Sequence, residues 1–201
     1  MTVAAVILAA GGGSRFNRDH AGALPGAKLL TLLDGQPLIT WALAAPLDAG
    51  FDEVIVVDGA TDLADFVPDG VTLVHNEQWE LGQATSLRVG LERCLAQHHQ
   101  CAVIGLGDVP GLTSEAWRLV AGVAKGPIVF ATYDGHRGHP VRLDAEVWSR
   151  LDKTGDEGAR SLARQYPELV HEVACPGAPG DIDTSQDAEQ WSRDRGTDQR
   201  I

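Results

Sequence analysis

Three short stretches of the chain gather residue types suited to handling phosphates. The first is Ala9-Ala10-Gly11-Gly12-Gly13-Ser14-Arg15, where three successive glycines follow an apolar run and lead to an arginine. Glycines let a ligand approach the backbone, and their consecutive amides can form a nest for an anion. Arg15 and, farther along, Lys28 supply positive charge for phosphate oxygens. The spacing is not a dinucleotide fingerprint, because Phe16 stands where the third glycine belongs. It is not a P-loop either: Gly22 and Gly26 are wrongly spaced before Lys28, and no Ser or Thr follows the lysine. The second stretch is Gly107-Asp108-Val109-Pro110, and the third is Gly180-Asp181-Ile182-Asp183-Thr184. A magnesium ion takes hard oxygen ligands, commonly one or two carboxylates with phosphates and water completing an octahedron. Asp108 and Asp183 are the candidate pair, with Asp181 as the substitute for Asp183.

These residues need elements to place them. Apolar runs at 3–8, 53–57, 71–75, 101–106, 127–132 and 139–143 read as strands, most of them too uniformly apolar for one-sided burial. Helical patterns alternate with them. Pro37 suits a first helical position and Gly50 closes that helix; Leu87, Leu91 and Cys94 or Leu95 share one face of a second, from Ala84 to Gln97. Ser86 lies near the start of that second helix, where hydroxyls and free amides can meet an anion or a base. Thr113 or Ser114 can cap a third helix carrying Ala116, Leu119, Val120 and Val123. The alternation predicts a three-layer α/β/α, Rossmann-like fold around a mostly parallel sheet. In such sheets ligands bind beyond the carboxyl ends of the strands, and that is where the glycine loop and Asp108 fall.

Composition narrows the function further. The 201 residues suit a single domain over 1–189, followed by a polar tail over 190–201 that is expected to fray. The formal net charge is −12, and Lys and Arg form no cluster, so no nucleic-acid partner is expected. An anionic substrate must then be met by a few placed cations and backbone amides. Cys94, Cys101 and Cys175 lack metal-ligand spacing and read as reduced thiols. The first ten residues are apolar but lack a basic leader and are too short to span a bilayer. No membrane association and a cytoplasmic location are therefore expected.

Leu8-Ala9-Ala10-Gly11-Gly12-Gly13-Ser14-Arg15, with Lys28 beyond it, resembles the loop of the nucleotidyltransferases that include sugar-phosphate pyrophosphorylases and molybdenum cofactor nucleotidyltransferases. The resemblance implies that the loop holds base and triphosphate while Lys28 contacts phosphates. It also implies that Asp108 and Asp183 bind the metal. The segments Asn76-Glu77-Gln78-Trp79, Gly82-Gln83-Ala84-Thr85-Ser86, Arg137-Gly138-His139-Pro140 and Gly155-Asp156-Glu157-Gly158-Ala159-Arg160 are similar, in that order, to molybdenum cofactor cytidylyltransferases. The implied reaction joins CMP from CTP to molybdopterin with release of pyrophosphate. His139 and Arg160 would contact the acceptor, and a molybdoenzyme would receive the product. Read as residues alone, His139 is equally a strand residue, Trp79 is packing, and Arg160 pairs with Asp156. In the cytidylyl-transferring members the first loop reads Ala-Ala-Gly, and in the guanylyl-transferring ones Ala-Gly-Gly, so Ala10 implies CTP. Transfer of GMP or of a nucleotide to another phosphorylated acceptor remains the enzymatic alternative. A pterin-binding delivery chaperone is the alternative without turnover.

Overall fold

The computed structural model describes residues 2–13, 16, 27–177 and 179–198. The first apolar run forms β1 (Val3–Leu8), and a small hairpin of β2 (Leu32–Leu33) and β3 (Gln36–Pro37) leads into α1 (Leu38–Ala49). Next come β4 (Glu53–Asp58), β5 (Thr72–His75), α2 (Gln83–Ala96), β6 (Cys101–Leu106) and α3 (Ser114–Gly122). The chain continues through β7 (Ile128–Tyr133), β8 (His136–Asp144), α4 (Ala145–Trp148) and α5 (Ala159–Gln165). β9 (Val170–Ala174) and α6 (Ser185–Asp198) complete it.

Seven strands form one sheet in the order β5-β4-β1-β6-β8-β7-β9, and β8 alone runs against the rest. This is the mostly parallel sheet that the apolar runs predict. Side chains alternate across each strand, and the alternation builds two cores. Ala5 and Ile7 of β1, with Val54 and Val56 of β4, face α1 and α3 through Leu38, Ile39, Leu43, Trp117 and Val120. Ala4, Val6 and Leu8, with Ile55 and Val57, face α2 and α5 through Leu87, Leu91, Cys94 and Leu162. Burial on both sides explains why the strands carry no polar face. It also pushes the Cys94 and Cys101 thiols up to about 12, which leaves them inert.

Several local expectations change in detail. Pro37 is the N-cap of α1 rather than its first helical residue, with ψ 142, and Gly50 ends the helix at φ 81. On α2 it is Cys94 that faces the core, while Leu95 is 64% exposed. Thr113, not Ser114, caps α3 by accepting a hydrogen bond from the Ala116 amide. α6 runs past Gln190, where a polar tail was expected to begin, and Trp191 packs edge-on against Trp41 of α1 with ring centroids 5.1 Å apart. That aromatic contact gives an otherwise polar helix something to bury. Among the described residues no helix is long and apolar enough to cross a membrane.

Chain order along the sheet reverses between β1 and β6. From β1 the chain builds outward through β4 to β5, then returns to lay β6 on the other side of β1. The crevice beyond the carboxyl ends of these two strands is the place such a fold offers a ligand.

Candidate active site

β1 and β6 deliver their following residues into that crevice side by side. The Gly107 amide donates to the Leu8 carbonyl at 2.9 Å, which holds the start of the Asp108 loop against the glycine loop. The Asp108 carbonyl in turn accepts from the Ile182 amide at 3.0 Å. Ile182 is buried in the core, so its neighbours on either side are held at the crevice edge. Beyond it, Asp187 accepts hydrogen bonds from the Asp183 amide at 3.0 Å and the Thr184 amide at 2.7 Å. The Asp187 amide donates back to the Thr184 hydroxyl at 3.2 Å, a reciprocal cap at the start of α6. Hydrogen bonds from Thr184 hold the Asp187 carboxyl below its ordinary range. Thr184 followed three residues later by an acid was a legible cap signal, but the sequence reading passed over it.

Lys28 meets the two carboxylates. It lies in a single 3-10 turn, Ala27–Leu30, anchored by the buried Leu29. Its Nζ donates to Asp108 Oδ2 at 2.7 Å and to Asp183 Oδ1 at 2.9 Å. The Lys28 side chain is 8% exposed, against 28% for Asp108 and 36% for Asp183. Burial works to lower the lysine's pKa, but attraction and hydrogen bonding from Asp108 and then Asp183 outweigh it, and the net shift is upward. The pair predicted to share a cation thus converges on one. Asp181 makes no hydrogen bond to Lys28 among the described residues and lines a neighbouring cavity. Partial desolvation, then repulsion by Asp108 and Asp183, raises its carboxyl.

The glycine loop, Lys28 and Asp108 form one side of a cleft of about 450 Å³. Leu8, Ala9, Ala10, Gly11, Gly12 and Gly13 line it, as sequence predicted; Ser14 and Arg15 lie outside the described residues. Trp79, Gly82, Gln83 and Ser86 line it as well. Trp79 also packs closely, and its Cβ would lie 2.8 Å from a Cβ built on Gly59. Ser86 is buried, and its hydroxyl accepts from Asn76 Nδ2 at 2.9 Å, which leaves the hydroxyl proton for another partner.

The start of α2 differs from expectation. Its amides are not open to an anion: Gln83 N donates to Asp156 Oδ1 at 3.1 Å, Ala84 N to the Gly155 carbonyl at 2.8 Å, and Thr85 N to the Gly82 carbonyl at 3.1 Å. Asp156 therefore caps a helix across 73 residues of sequence instead of pairing with Arg160. Without a spatial contact map this was not legible.

Two further cavities, about 230 and 350 Å³, share the wall formed by Arg137, Gly138, His139 and Arg160. Gln83 lines both the first of these and the glycine-loop cleft. His139 Nδ1 donates to the Ile104 carbonyl at 3.2 Å, and its own carbonyl accepts from the Tyr133 hydroxyl at 2.8 Å. Burial, reinforced by Arg160, depresses the His139 pKa against the opposing pull of Ile104 and Asp108. The ring is neutral at pH 7, with Nε2 as an acceptor. Arg137 is occupied, bonding Glu172 at 2.6 Å over the Phe130 ring. Arg160 has no side-chain partner among the described residues and is exposed beside these cavities.

The donor set fits a divalent cation of the magnesium type. Two carboxylate oxygens approach one cationic atom, and no third acid, His or Cys joins them among the described residues. Further ligands must come from phosphates and water, as magnesium prefers.

Comparison with known proteins agrees with this geometry. A profile described as the MobA-like NTP transferase domain matches residues 5–170. Nicotine blue oxidoreductase of Paenarthrobacter nicotinovorans is 31% identical over 200 residues, covering 93% of this chain and 92% of that protein. Rv0371c of Mycobacterium tuberculosis superposes with a TM-score of 0.81 at 29% identity, over 96% of this chain and 98% of its own. Its manganese complex gives 0.77 at 27% identity, over 96% and 99%. A nucleotidyl transferase from Methanothermobacter thermautotroptrophicus gives 0.78 at 26% identity, over 96% and 97%.

Proposed function

The chain belongs to the MobA-like NTP transferase family, and from that membership we propose that it transfers CMP from CTP to molybdopterin or its molybdenum-loaded form, releasing pyrophosphate. The observation that carries the reading is Lys28 bound between Asp108 and Asp183 at the edge of the glycine-loop cleft. The Gly11 to Gly13 amides would cradle the triphosphate, and the Ser86 hydroxyl would donate to the base. Lys28 would donate to phosphate oxygens, gaining strength as charge shifts toward the leaving pyrophosphate. Arg160 would hold the acceptor phosphate in line with the α-phosphorus. An oxygen of that phosphate forms the new P–O bond as the bond to pyrophosphate breaks. A terminal phosphate is already ionised near neutral pH, so no protein base is required, and positioning supplies much of the rate. Asp108 and Asp183 would hold a divalent cation, which when bound neutralises triphosphate charge.

The decisive assay presents CTP, GTP, ATP and UTP with molybdopterin and follows pyrophosphate. CTP should be the productive nucleotide. Productive GTP would move the chain to guanylyl transfer, and pterin binding with no pyrophosphate would make it a delivery protein. The near full-length likeness to nicotine blue oxidoreductase favours a second reading, in which the chain is an oxidoreductase. Oxidation of reduced nicotinamide dinucleotide on addition of an acceptor dye, without pyrophosphate release, would establish it.

A further inference from the structure

We infer that Lys28 guards the cation site: its ammonium occupies the space between Asp108 and Asp183 until a triphosphate draws it into the adjoining cleft, so that nucleotide and divalent cation are taken up together. The inference rests on the reading of those two carboxylates as metal ligands. One oxygen of each accepts from Lys28, at 2.7 and 2.9 Å. A divalent ion arriving alone must displace a tethered cation, one whose backbone is held by the buried Leu29 and by the Thr31 amide bonding the Lys28 carbonyl at 3.2 Å. Displacing it without new anionic partners strands an ammonium that is 8% exposed, which is costly.

A triphosphate changes the balance. Lys28 lines the glycine-loop cleft as well as touching the carboxylates, so rotation of its flexible stem can reach a phosphate without moving the backbone. Its third N–H has no partner among the described residues, and a phosphate oxygen can engage it before the other two bonds break. Once Lys28 leaves, Asp108 and Asp183 lose its positive charge, and the divalent ion that the triphosphate brings replaces it.

The test measures Mn²⁺ binding by the intact protein, from the electron paramagnetic resonance of free Mn²⁺, in the wild type, Lys28→Gln and Lys28→Met. Without nucleotide, both variants should bind Mn²⁺ at least about tenfold more tightly than the wild type. Equal affinity in folded variants and wild type overturns the inference while leaving Asp108 and Asp183 as ligands. Absence of Mn²⁺ binding in every protein, with or without a non-hydrolysable CTP analogue, removes the metal reading and the inference together. If the variants do not fold, the wild type decides through its thermal midpoint. Mn²⁺ alone should leave it unmoved at concentrations where Mn²⁺ raises the midpoint of the analogue-bound protein. Equal stabilisation by Mn²⁺ with and without the analogue overturns the inference.

Discussion

The methyl of Ala10 sits in the wall of the glycine-loop cleft, 2% exposed and 2.9 Å from where a Cβ on Gly59 would stand. Ala10, Gly59 and Trp79 therefore brace one another, and shaving the methyl loosens the wall that would exclude a larger base. Ala10→Gly should lower the preference for CTP over GTP roughly tenfold, read as the ratio of kcat/KM values, since one methylene is worth about 1–3 kcal/mol in such a pocket. An unchanged ratio would move base selection elsewhere. Asp108→Asn and Asp183→Asn should each cut turnover by about 100-fold or more while the protein stays folded, because they touch the crevice and not the core. Asp181→Asn should spare the metal dependence and raise the acceptor KM, since Asp181 lines the other cavity. His139 supplies a pH test. Its folded pKa lies below its unfolded value, so the unfolded chain binds the extra proton, and stability present above about 6.5 is lost as pH falls through the folded pKa. Denaturant melts of His139→Gln should show a shallower acid loss than the wild type; parallel curves would show that the ring is not desolvated. Asp108 and Asp183 were legible because short motifs flank them, Asp108 directly after a buried strand. Their meeting on Lys28 was not, because it closes separations of 80 and 155 residues.

At the level of elements, Gly82 and the loop at Gly155 meet beside the cleft. Gly82 has φ 104, and a Cβ there would come within 2.6 Å of the Gly155 carbonyl. The Gly155 amide also donates to the Leu81 carbonyl at 3.0 Å, so the loop before α5 clasps the start of α2 from both sides. Asp156→Ala should cost about 1 kcal/mol as a lost cap and raise the nucleotide KM through displacement of Ser86. Asp156→Asn keeps an acceptor oxygen and should recover most of both. Equal KM values in the Ala and Asn variants would show that the cap does not position the cleft. Sequence periodicity found six of the seven sheet strands. It missed β9, which is an edge strand with most positions half-buried or exposed and so carries no apolar run. The antiparallel turn into β8 had its own signal. Asp134-Gly135 spans two residues with φ 49 and 80, and Asp34-Gly35 does the same between β2 and β3 with φ 50 and 81. An Asp-Gly pair between extended segments marks a tight hairpin because both residues tolerate positive φ.

The molecule as a whole carries −12, yet its proposed ligands are polyanions. Its net charge opposes them, and among the described residues Lys28, Arg160 and the glycine amides would supply the local attraction. Raising ionic strength from about 0.01 to 0.15 M shortens the screening length from about 30 to 8 Å, which should weaken the repulsion more than the close contacts. The second-order rate of nucleotide binding, measured by stopped flow, should therefore rise across that range. A steep fall would mean that the local cations dominate the approach. The layer architecture was legible because buried parallel strands leave a strong apolar record, whereas the union of distant loops leaves none. That union sets an order of events during synthesis. The glycine loop follows the first strand and emerges early, and Asp108 comes about halfway along the chain. Asp183 arrives only after every strand of the sheet has been made, and it is set in place by a cap that needs Thr184 and Asp187. A nascent chain can therefore bury most of its core while Lys28 still lacks one of its two carboxylates.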